Sequence, residues 1–571
     1  MKILGVNDQH NASACLVIDG IVVAALQEER LTRIKNHFCF PQRAVEWLLE
    51  TTGTDPGELD SIAVASEYIT GPFTGADLVR GYAERKTPRS RLVRLVKRTP
   101  ARRLIANRRR TARLRDVAAA GLPLERVTFV DHHTAHAAAA YHGSPWKDDP
   151  TLVFTADGWG DGLSATIRVG EGGRLSHPIA KINVADSLGA IWGTMTAFLG
   201  MVPLEHEYKL MGMAPYAPAS GAERSYQEFK RTLVFDGPDD LVWHRAKGVP
   251  DTHRSYDYFR ERLELHRFDW IAAGLQRFTD EHLASWVRRA IAATAIARVA
   301  LGGGVFMNVK ANKAIYELPE VADLFVYPSC GDETNAMGAA FHVEEQRSSL
   351  SGRATVIPAV SHLYWGPNIA DHEVERLLPS LRQEGYRTSR PSDIEAAVAE
   401  LLVEGEVVAR AKGPLEFGAR ALGNRSILAD PALPDAVRII NDMIKKRDFW
   451  MPFAPAVLAE EADLYILNPR AMPAPFMIMT FDTTDRVADF PAGVQPYDRT
   501  TRPQIVTRED NPDYHHLIRC FRDKTGRGVV LNTSFNMHGS PIVCSADDAV
   551  DVLRNSGLQH LAVGGYLVSK T

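Results

Sequence analysis

The sequence contains little cysteine and no long hydrophobic run. Its 571 residues include five cysteines, and no two of them form a Cys-x-x-Cys pair. An odd, scattered set argues against a disulfide-stapled secreted scaffold and against a thiolate zinc ribbon. The most membrane-like stretch, residues 187–204, has 18 residues with three glycines, two threonines and a proline, which predicts a buried helix. Polar residues also interrupt the N-terminal apolar stretch, so we expect no signal peptide and a cytoplasmic protein.

An excess of charge of either sign is also missing. The chain has 66 lysine and arginine residues against 70 aspartate and glutamate residues, a net charge of −4, which excludes a surface wholly adapted to nucleic acid. Fourteen of the basic residues lie within 85–115, where no acidic residue occurs. This stretch is either a binding surface for nucleic acid, anionic lipid or an anionic substrate, or a solvated helical hairpin broken at Pro88 and Pro100. The second interpretation is favoured.

Alternating strand and helix patterns predict an α/β protein. Apolar runs at 2–7, 13–18 and 21–26 are typical of strands, and Asp19-Gly20 between the last two predicts a hairpin. Other expected elements of the first half are strands at 127–131, 151–156 and 298–303 and helices at 280–300 and 333–346.

A Ser- and Gly-containing stretch with flanking prolines, residues 347–362, predicts a domain boundary at about residue 350. We therefore expect two domains, 1–350 and 351–571. The expected elements of the second are helices at 371–385, 393–404, 433–445 and 546–556 and strands at 405–411, 528–532 and 559–563.

Histidine and aspartate residues lie near the ends of predicted strands. In DHHTAHAAAAYHG, His132 and His136 are four positions apart at the start of an alanine-rich helix, so both imidazoles share one face. Asp157 follows a strand in FTADGWGDG, and Asp332 precedes a helix in PSCGDETNAMGAAF. Two histidines and two carboxylates suit a divalent first-row ion, with Fe, Mn and Zn all open. The histidine spacing alone is more often a pair of satisfied polar residues, and it is the two aspartate motifs that strengthen the metal interpretation; His133 is an alternative to His132.

A glycine-rich turn follows another predicted strand. In LGGGVFMN, Gly302, Gly303 and Gly304 precede Asn308, so the backbone can approach a ligand and offer N–H groups to an anion or a ribose. With the N-terminal hairpin and the Asp157 turn, this order of motifs is typical of the actin, heat-shock chaperone and sugar kinase class of nucleotide-binding proteins.

The C-terminal part holds cations among glycine, serine and asparagine residues. The motifs are EFGARALGNRS, MIKKRDFWMPFAP, TTRPQIV and LNTSFNMHGSPIV. Guanidinium groups bind phosphate through paired hydrogen bonds, so the set predicts an anion or nucleotide site. The residues that we assign to it are Arg420, Arg425, Lys445, Arg447, Arg502, Asn532 and Ser534.

Together these motifs resemble those of the NodU/TobZ-type O-carbamoyltransferases. HHTAH, DGWGDG, YKLMGMAPY, GGGVFMN, EFGARALGNRS, RPQIVT and LNTSFN occur in family order across essentially the whole chain. The resemblance implies an N-terminal actin-like domain, similar to threonylcarbamoyl-adenosine synthase, and a C-terminal YrdC-like domain. The second is expected to make carbamoyl-adenylate from carbamoyl phosphate and ATP, releasing pyrophosphate. The first is expected to transfer the carbamoyl group to a hydroxyl of a small-molecule natural product, with AMP leaving.

The resemblance also implies roles for individual residues. The expected metal ligands are His132, His136, Asp157 and Asp332, and Mg²⁺ is expected to accompany ATP. His10 matches the family's transfer-site histidine, which we expect to act as the base, and Lys35 matches a lysine near the same site. Nucleotide contacts of the first domain are expected from Lys209, Gly302, Gly303, Gly304 and Asn308. Met451 stands where relatives tend to have an arginine before Pro-Phe.

Several alternatives stay open at this stage. The same two folds, usually as separate proteins, modify tRNA to threonylcarbamoyl-adenosine, and the basic stretch 85–115 could hold tRNA. Hydrogenase-maturation proteins join the same folds but carry zinc-ribbon cysteines that this chain lacks. An actin-like kinase would release ADP, and a non-enzymatic protein would use the basic stretch on a membrane or nucleic acid. The acceptor, the metal and the oligomeric state, including a homo-oligomer, are not determined by the sequence.

Overall fold

The computed structural model describes residues 1–68, 75–83, 101–433 and 435–570. The chain forms two compact units, of which the first comprises residues 1–28 and 36–360 and the second residues 29–35 and 361–571. The units therefore divide after Val360 rather than at 350, because residues 351–360 pack on the first unit. The Val360 N–H, for example, donates to the Gly143 carbonyl at 2.9 Å.

The first unit contains a five-stranded and a six-stranded sheet. The five-stranded sheet has the order β3-β2-β1-β4-β5, with β1 Lys2–Asn7, β2 Ser13–Ile18, β3 Ile21–Gln27, β4 Ser61–Ala65 and β5 Val127–Val130. The predicted hairpin joins β2 and β3, and both turn residues, Asp19 and Gly20, have positive φ. Strands β1, β4 and β5 are parallel, as crossover connections through helices require.

The six-stranded sheet has the order β13-β12-β6-β7-β8, with β9 also paired to β7. Its strands are β6 Thr151–Gly160, β7 Leu163–Glu171, β8 Arg174–Leu175, β9 Ala180–Asn183, β12 Arg298–Gly302 and β13 Asp323–Val326. A small separate pair is formed by β10 Leu233–Val234 and β11 His244–Arg245. Strands β6, β12 and β13 are parallel, so the ends of β6 and β12 meet at one edge of this sheet.

Two helices lie between these sheets. The helix Asn335–Leu350 packs on β1 and β4, and the helix His132–Gly143 packs on β6 and β12 and against the first helix. The two helices cross closely because the contact is made by small residues: a Cβ on Gly338 would lie 1.8 Å from the Ala135 carbonyl oxygen. The alanine-rich sequence of the second helix is thus explained by burial on several sides.

The other helices of the first unit complete its outer layers. They are Gln42–Thr52, Gly75–Tyr82, Ala101–Ala119, Leu188–Phe198, Glu207–Met213, Ala219–Lys230, Tyr256–Leu263, Phe268–Thr294 and Val309–Tyr316. The helix expected at 280–300 thus starts earlier and ends earlier, because Ala295 adopts a left-handed conformation and β12 begins at Arg298. The uncharged stretch 187–204 forms only the helix Leu188–Phe198, and no helix among the described ranges is long and apolar enough to cross a membrane.

The second unit is built on an eight-stranded mixed sheet of order β14-β24-β23-β15-β16-β22-β17-β21. These strands are β14 Arg387–Ser389, β15 Val408–Ala411, β16 Arg425–Ala429, β17 Ala454–Leu458, β21 Gln504–Val506, β22 Val529–Ser534, β23 His560–Val563 and β24 Tyr566–Ser569. A three-stranded sheet comprises β18 Ile466–Leu467, β19 Phe481–Thr483 and β20 Thr500–Thr501. Strand β16, which begins at the end of EFGARALGNRS and continues beyond it, was not predicted.

Alternate residues of the central strands face two different cores. Ala409 and Leu531 belong to one apolar cluster, whereas their neighbours Val408 and Val530 belong to another. Because side chains alternate across a strand, this division shows that the sheet is covered on both faces. The helices of the unit are Glu29–Thr32, Asp371–Gln383, Ile394–Val403, Ala436–Ile440, Ala462–Tyr465, Pro512–Thr525 and Ala546–Arg554. The α/β class expected from the sequence is confirmed.

The basic stretch 85–115 is described only in part. Its residues 85–100 lie outside the described ranges, and so do Pro88 and Pro100, on which the hairpin interpretation depended. The remainder belongs to a single helix, Ala101–Ala119. Arg113 of this helix is buried within the first unit.

Candidate functional site

The structure brings together the four residues that the sequence proposed as metal ligands. His132 and His136 lie on the helix His132–Gly143, which begins where Asp131 caps it by accepting the Thr134 N–H at 2.8 Å. Asp157 lies near the end of β6, and Asp332 opens the turn before the helix Asn335–Leu350. One ligand atom from each of the four lies within 4.8 Å of the others.

The distances within this group, named here the His-Asp cluster, are short. His132 Nε2 lies 3.0 Å from Asp157 Oδ2 and 3.2 Å from His136 Nε2. His136 Nε2 lies 3.4 Å from Asp332 Oδ1. The Nε2 atoms of the two histidines face each other and can share only one hydrogen. One of the two nitrogens therefore carries a free lone pair, which can bind a metal. This convergence of two imidazole nitrogens and two carboxylate oxygens fits a divalent first-row ion.

Burial and the charges within the cluster shift the pKa values of its members in different directions. Burial disfavours the charged form of His132, but its hydrogen bond to Asp157 and the Asp332 and Asp157 carboxylates outweigh burial and raise its pKa to about 9. Burial and the positive charge of His132 lower the pKa of His136 to about 3. Burial and the Asp157 charge raise the pKa of Asp332 to about 7. A cation at this point would relieve the repulsion between the carboxylates.

His133 lies outside the His-Asp cluster. Its Nδ1 lies 2.8 Å from the Thr155 hydroxyl, which in turn lies 2.7 Å from the Thr166 hydroxyl. Burial, followed by the charges of the other two histidines, lowers the pKa of His133 to about 3. The structure thus favours His132 over the alternative His133.

The glycine turn of LGGGVFMN follows β12 and lies beside the His-Asp cluster. Gly303 has φ +99°, and a Cβ there would lie 2.4 Å from the Ala156 carbonyl oxygen, so this position requires glycine. Gly302 and Gly304 flank it at the end of the strand. Asn308 caps the helix Val309–Tyr316, accepting the N–H groups of the next turn, and is paired with Gln276 at 3.0 Å. Its amide is therefore engaged locally.

The two residues assigned to the transfer reaction lie in different compact units. His10 follows β1 in the first unit, where the Asn7 side-chain amide donates to its carbonyl at 3.0 Å. The next residue, Asn11, donates to Glu333 Oε2 at 3.4 Å, and Glu333 directly follows Asp332 of the His-Asp cluster. Lys35 belongs to the segment 29–35 of the second unit. Lys209 lies on the helix Glu207–Met213, which packs on the helix Phe268–Thr294 of the first unit.

In the second unit, four cations form a group that we name the cationic cluster: Arg420, Lys445, Arg447 and Arg502. Burial, followed by the charges of Arg420 and Arg447, holds the pKa of Arg502 well below its ordinary value. Burial, followed by the charges of Arg447 and Lys35, does the same to Lys445. Among the described residues, no carboxylate contributes to the pKa shift of either Lys445 or Arg502. Such a group of like charges is typical of an anion site.

The buried ammonium of Lys445 is held at the end of β22. It donates to the Ser534 carbonyl and, at 2.7 Å, to the Asn536 side-chain oxygen, and its Nζ lies 3.2 Å from the Ser534 hydroxyl. Asn532, earlier on the same strand, donates to the Ala421 carbonyl and to Gln504 Oε1, both at 3.2 Å. Ser534 therefore contacts the cationic cluster through Lys445, whereas the Asn532 side chain is bonded to Ala421 and Gln504.

Arg425 has a structural role instead of facing the cationic cluster. It is completely buried, and its guanidinium donates to the carbonyls of Gly413 at 2.9 Å, Asn424 at 2.8 Å and Pro367 at 3.0 Å. Longer contacts reach the Cys544 carbonyl at 3.3 and 3.4 Å. Because all three of its nitrogens are committed to backbone carbonyls, we exclude Arg425 from the proposed ligand set. Its burial within a strand gave no sequence signal, since β16 was not predicted.

Sequence reasoning did not single out three buried residues of the first unit. Asp8, Ser66 and Arg113 are connected by hydrogen bonds, and the Ser66 hydroxyl lies 3.0 Å from His132 Nδ1. Asp8 lies two positions before His10, Ser66 comes from a segment that carried no motif, and Arg113 was noted only as part of the basic stretch 85–115. Only the tertiary structure brings them to the His-Asp cluster.

Comparison with known protein families identifies both halves of the chain. Residues 2–341 match the carbamoyltransferase N-terminus model, and residues 399–570 match the carbamoyltransferase C-terminus model. The chain belongs to the carbamoyltransferase family. It is a carbamoyltransferase enzyme, and the resemblance to NodU/TobZ-type proteins is confirmed.

Individual relatives support the same assignment. The nodulation protein NolNO of Sinorhizobium fredii is 33% identical over 98% of this carbamoyltransferase and 79% of its own length. The 3'-hydroxymethylcephem-O-carbamoyltransferase of Streptomyces clavuligerus is 30% identical over 46% of this chain and 47% of its own. Among solved structures, full-length HypF in its phosphate- and nucleotide-bound form aligns with 62% of this chain and 47% of its own, with 13% identity and a TM-score of 0.35.

Proposed function

We propose that this carbamoyltransferase uses ATP and carbamoyl phosphate to carbamoylate a hydroxyl of a small-molecule natural product. In this proposal the second unit, with a YrdC-like fold, hydrolyses carbamoyl phosphate to carbamate and inorganic phosphate. A carbamate oxygen then attacks the α-phosphorus of ATP, which forms carbamoyl-adenylate and releases pyrophosphate. The first unit, with an actin-like fold, then transfers the carbamoyl group, and AMP leaves as the acceptor oxygen forms its bond to the carbamoyl carbon. The observation that carries the proposal is the cationic cluster, because both substrates of the first step are phosphate anions.

The cationic cluster supplies the charge that two phosphate-bearing substrates need. Burial, followed by neighbouring positive charges, disfavours the charged forms of Arg502 and Lys445 in the free protein, and no carboxylate among the described residues contributes to the pKa of either. An anion bound there gains charge-assisted hydrogen bonds and removes this repulsion at the same time. The Ser534 hydroxyl, beside Lys445, donates to Asn536 Oδ1 at 2.7 Å in the free protein and would have to leave that acceptor to donate to a phosphate oxygen.

The first unit offers a base beside the His-Asp cluster. An alcohol is a poor nucleophile at neutral pH, and an imidazole near it can accept the proton as the oxygen attacks. His10 is assigned this role because the next residue, Asn11, donates to Glu333 Oε2 at 3.4 Å, directly after Asp332. His132, His136, Asp157 and Asp332 would hold a divalent metal, which when bound supplies a Lewis acid for a carbonyl or phosphate oxygen. The glycine turn beside them leaves room for the backbone to approach a nucleotide.

The proposed actin-like fold of the first unit is supported by its two sheets with two helices packed between them. The proposed acceptor class is supported by the relative that is named as acting on a hydroxymethylcephem. The acceptor itself is left open, and so is the identity of the metal.

The test is pyrophosphate release from ATP by the full-length protein without an acceptor. Release that requires carbamoyl phosphate would support the proposal. Release that instead requires threonine and bicarbonate would indicate tRNA modification, and formation of ADP in place of AMP would indicate a kinase. The first of these two results would overturn carbamoyl phosphate as the substrate, and the second would overturn the assignment of the cationic cluster.

Pyrophosphate binding to the cationic cluster should take up protons. The pKa of Lys445 is lowered in the free protein, and a bound anion raises it, so the complex holds more protons than the free protein. Affinity for inorganic pyrophosphate should therefore fall as pH rises from the lowered pKa of Lys445 in the free protein towards its higher pKa in the complex, by at most about tenfold per pH unit for each proton. Calorimetry in buffers of different ionisation enthalpy measures the uptake.

The Lys445→Met protein should lose part of this proton uptake, whereas Lys524→Met should retain it. Lys524 is a suitable control because it lies in the same unit, is partly exposed and pairs with Glu400 at 3.2 Å. An equal proton uptake in both variants would exclude Lys445 as the group that titrates.

A further inference from the structure

A chain of buried hydrogen bonds runs from the basic helix Ala101–Ala119 to the His-Asp cluster. Arg113, 3% exposed, forms a two-pronged pair with Asp8: its Nε lies 2.7 Å from Oδ2 and its Nη2 2.8 Å from Oδ1. The same guanidinium donates to the Ser66 carbonyl at 2.6 Å and to the Ala65 carbonyl at 2.7 Å. One side chain thus holds both the β1 turn that carries His10 and the end of β4.

Ser66 connects this arginine to the His-Asp cluster. Its hydroxyl lies 3.0 Å from His132 Nδ1, the ring nitrogen that faces away from Asp157. When Nε2 of a neutral histidine binds a metal, Nδ1 carries the hydrogen, and the Ser66 oxygen is placed to accept it. Partners of this kind set the tautomer and the orientation of the ligand ring.

The backbone at Ser66 is held in an unfavourable conformation. Ser66 has φ +66°, in the left-handed region that serine rarely adopts. Two contacts fix it there: Arg113 holds the Ser66 carbonyl, and Asp161 accepts the N–H groups of Glu67 at 2.9 Å and Tyr68 at 2.8 Å. Asp161 also accepts the His132 N–H at 2.8 Å. The strained backbone at Ser66 is therefore maintained by Arg113 and by Asp161, and Asp161 also holds the start of the His132 helix.

We propose that Ser66 and Arg113 are positioning residues for the His-Asp cluster, with Ser66 orienting His132 and Arg113 holding Ser66. The inference rests on the metal centre in the proposed function and assigns the last turns of the basic stretch a part in it. Since both Asp8 oxygens accept from Arg113, Asp8 is engaged as a counter-charge, and His10 is the group in this turn that is available as a base.

The test is Mn²⁺ binding by the full-length protein, followed by electron paramagnetic resonance of the free ion, with no substrate present. Ser66→Gly removes the hydroxyl and fits φ +66° without strain, so the thermal unfolding of the metal-free protein should be unchanged or slightly raised. We expect Ser66→Gly to weaken Mn²⁺ binding about 10–100-fold, the usual effect of losing an outer-shell partner. Arg113→Lys keeps the charge but loses the fork, and should weaken binding in the same direction.

Arg110→Ala is the matched control. Arg110 lies one turn earlier on the same helix and stacks on the same Phe129 ring, at 4.5 Å against 4.6 Å for Arg113. It is exposed, so its loss should leave Mn²⁺ affinity unchanged. If Arg113→Lys does not fold, Ser66→Gly decides the test. A folded Ser66→Gly protein with wild-type affinity would overturn the inference, and a wild-type protein that binds no Mn²⁺ would overturn the metal centre itself.

Discussion

Replacing His10 with alanine should slow carbamoyl transfer about 10²–10⁴-fold, the range usual for a single acid–base group. The loss should appear in transfer from carbamoyl-adenylate to a hydroxyl acceptor. Pyrophosphate release without acceptor should continue at the wild-type rate, because that step is assigned to the second unit, which His10 is not part of. The two rates are measured separately, as carbamoylated product and as pyrophosphate.

The contrast between the two rates is the decisive readout for His10. His177→Ala is the control, since His177 is an exposed histidine of the same unit, and it should leave both rates unchanged. An equal fall of both rates in His10→Ala would contradict the division of the reaction between the two units. An unchanged transfer rate would remove His10 from the site.

Replacing Arg502 with alanine should weaken carbamoyl-adenylate formation by about 1.5–3 kcal/mol, the range for a hydrogen bond to a charged group. This corresponds to roughly 10–150-fold in kcat/KM for ATP or carbamoyl phosphate, measured by pyrophosphate release. The fold itself should be unaffected or slightly more stable, because removing Arg502 relieves its repulsion with Arg420 and Arg447. Thermal unfolding of the free protein tests this second expectation.

Arg499→Ala is the matched control for Arg502. Arg499 is an exposed arginine three positions earlier, so its loss should leave pyrophosphate release unchanged. If Arg502→Ala formed carbamoyl-adenylate normally, Arg502 would be excluded from the site. A marked loss of stability would indicate a structural role of the kind that the structure gives Arg425.

The sequence predicted elements best where the pattern was local. The hairpin at Asp19-Gly20 and the helices at 371–385 and 546–556 were found because periodicity and turn residues lie within the segments themselves. Strand β16 was missed because its residues were read as a ligand motif. The helix at 280–300 was misplaced because a left-handed residue, Ala295, ends it without glycine.

The sequence could propose site residues where they lie at the ends of predicted strands and helices. His132, His136, Asp157 and Asp332 follow or precede elements whose ends meet, and for this reason the sequence could group them. The cationic motifs could be grouped in the same way, but the sequence could not separate Arg502 from Arg425. That distinction depends on whether backbone carbonyls or other cations surround each guanidinium, which only packing decides.

By itself, the sequence determined the α/β class and the carbamoyltransferase family, and it supplied the proposal for the segments that carry the chemistry. Those properties depend on local pattern and on the order of motifs, and both can be seen in the amino-acid sequence alone. The tertiary structure alone decided that Lys35 belongs to the second unit, that Arg425 is structural and that Arg113 reaches Ser66 and Asp8. Each of these depends on contacts between segments far apart in the chain, where spacing along the sequence carries no information about distance in space.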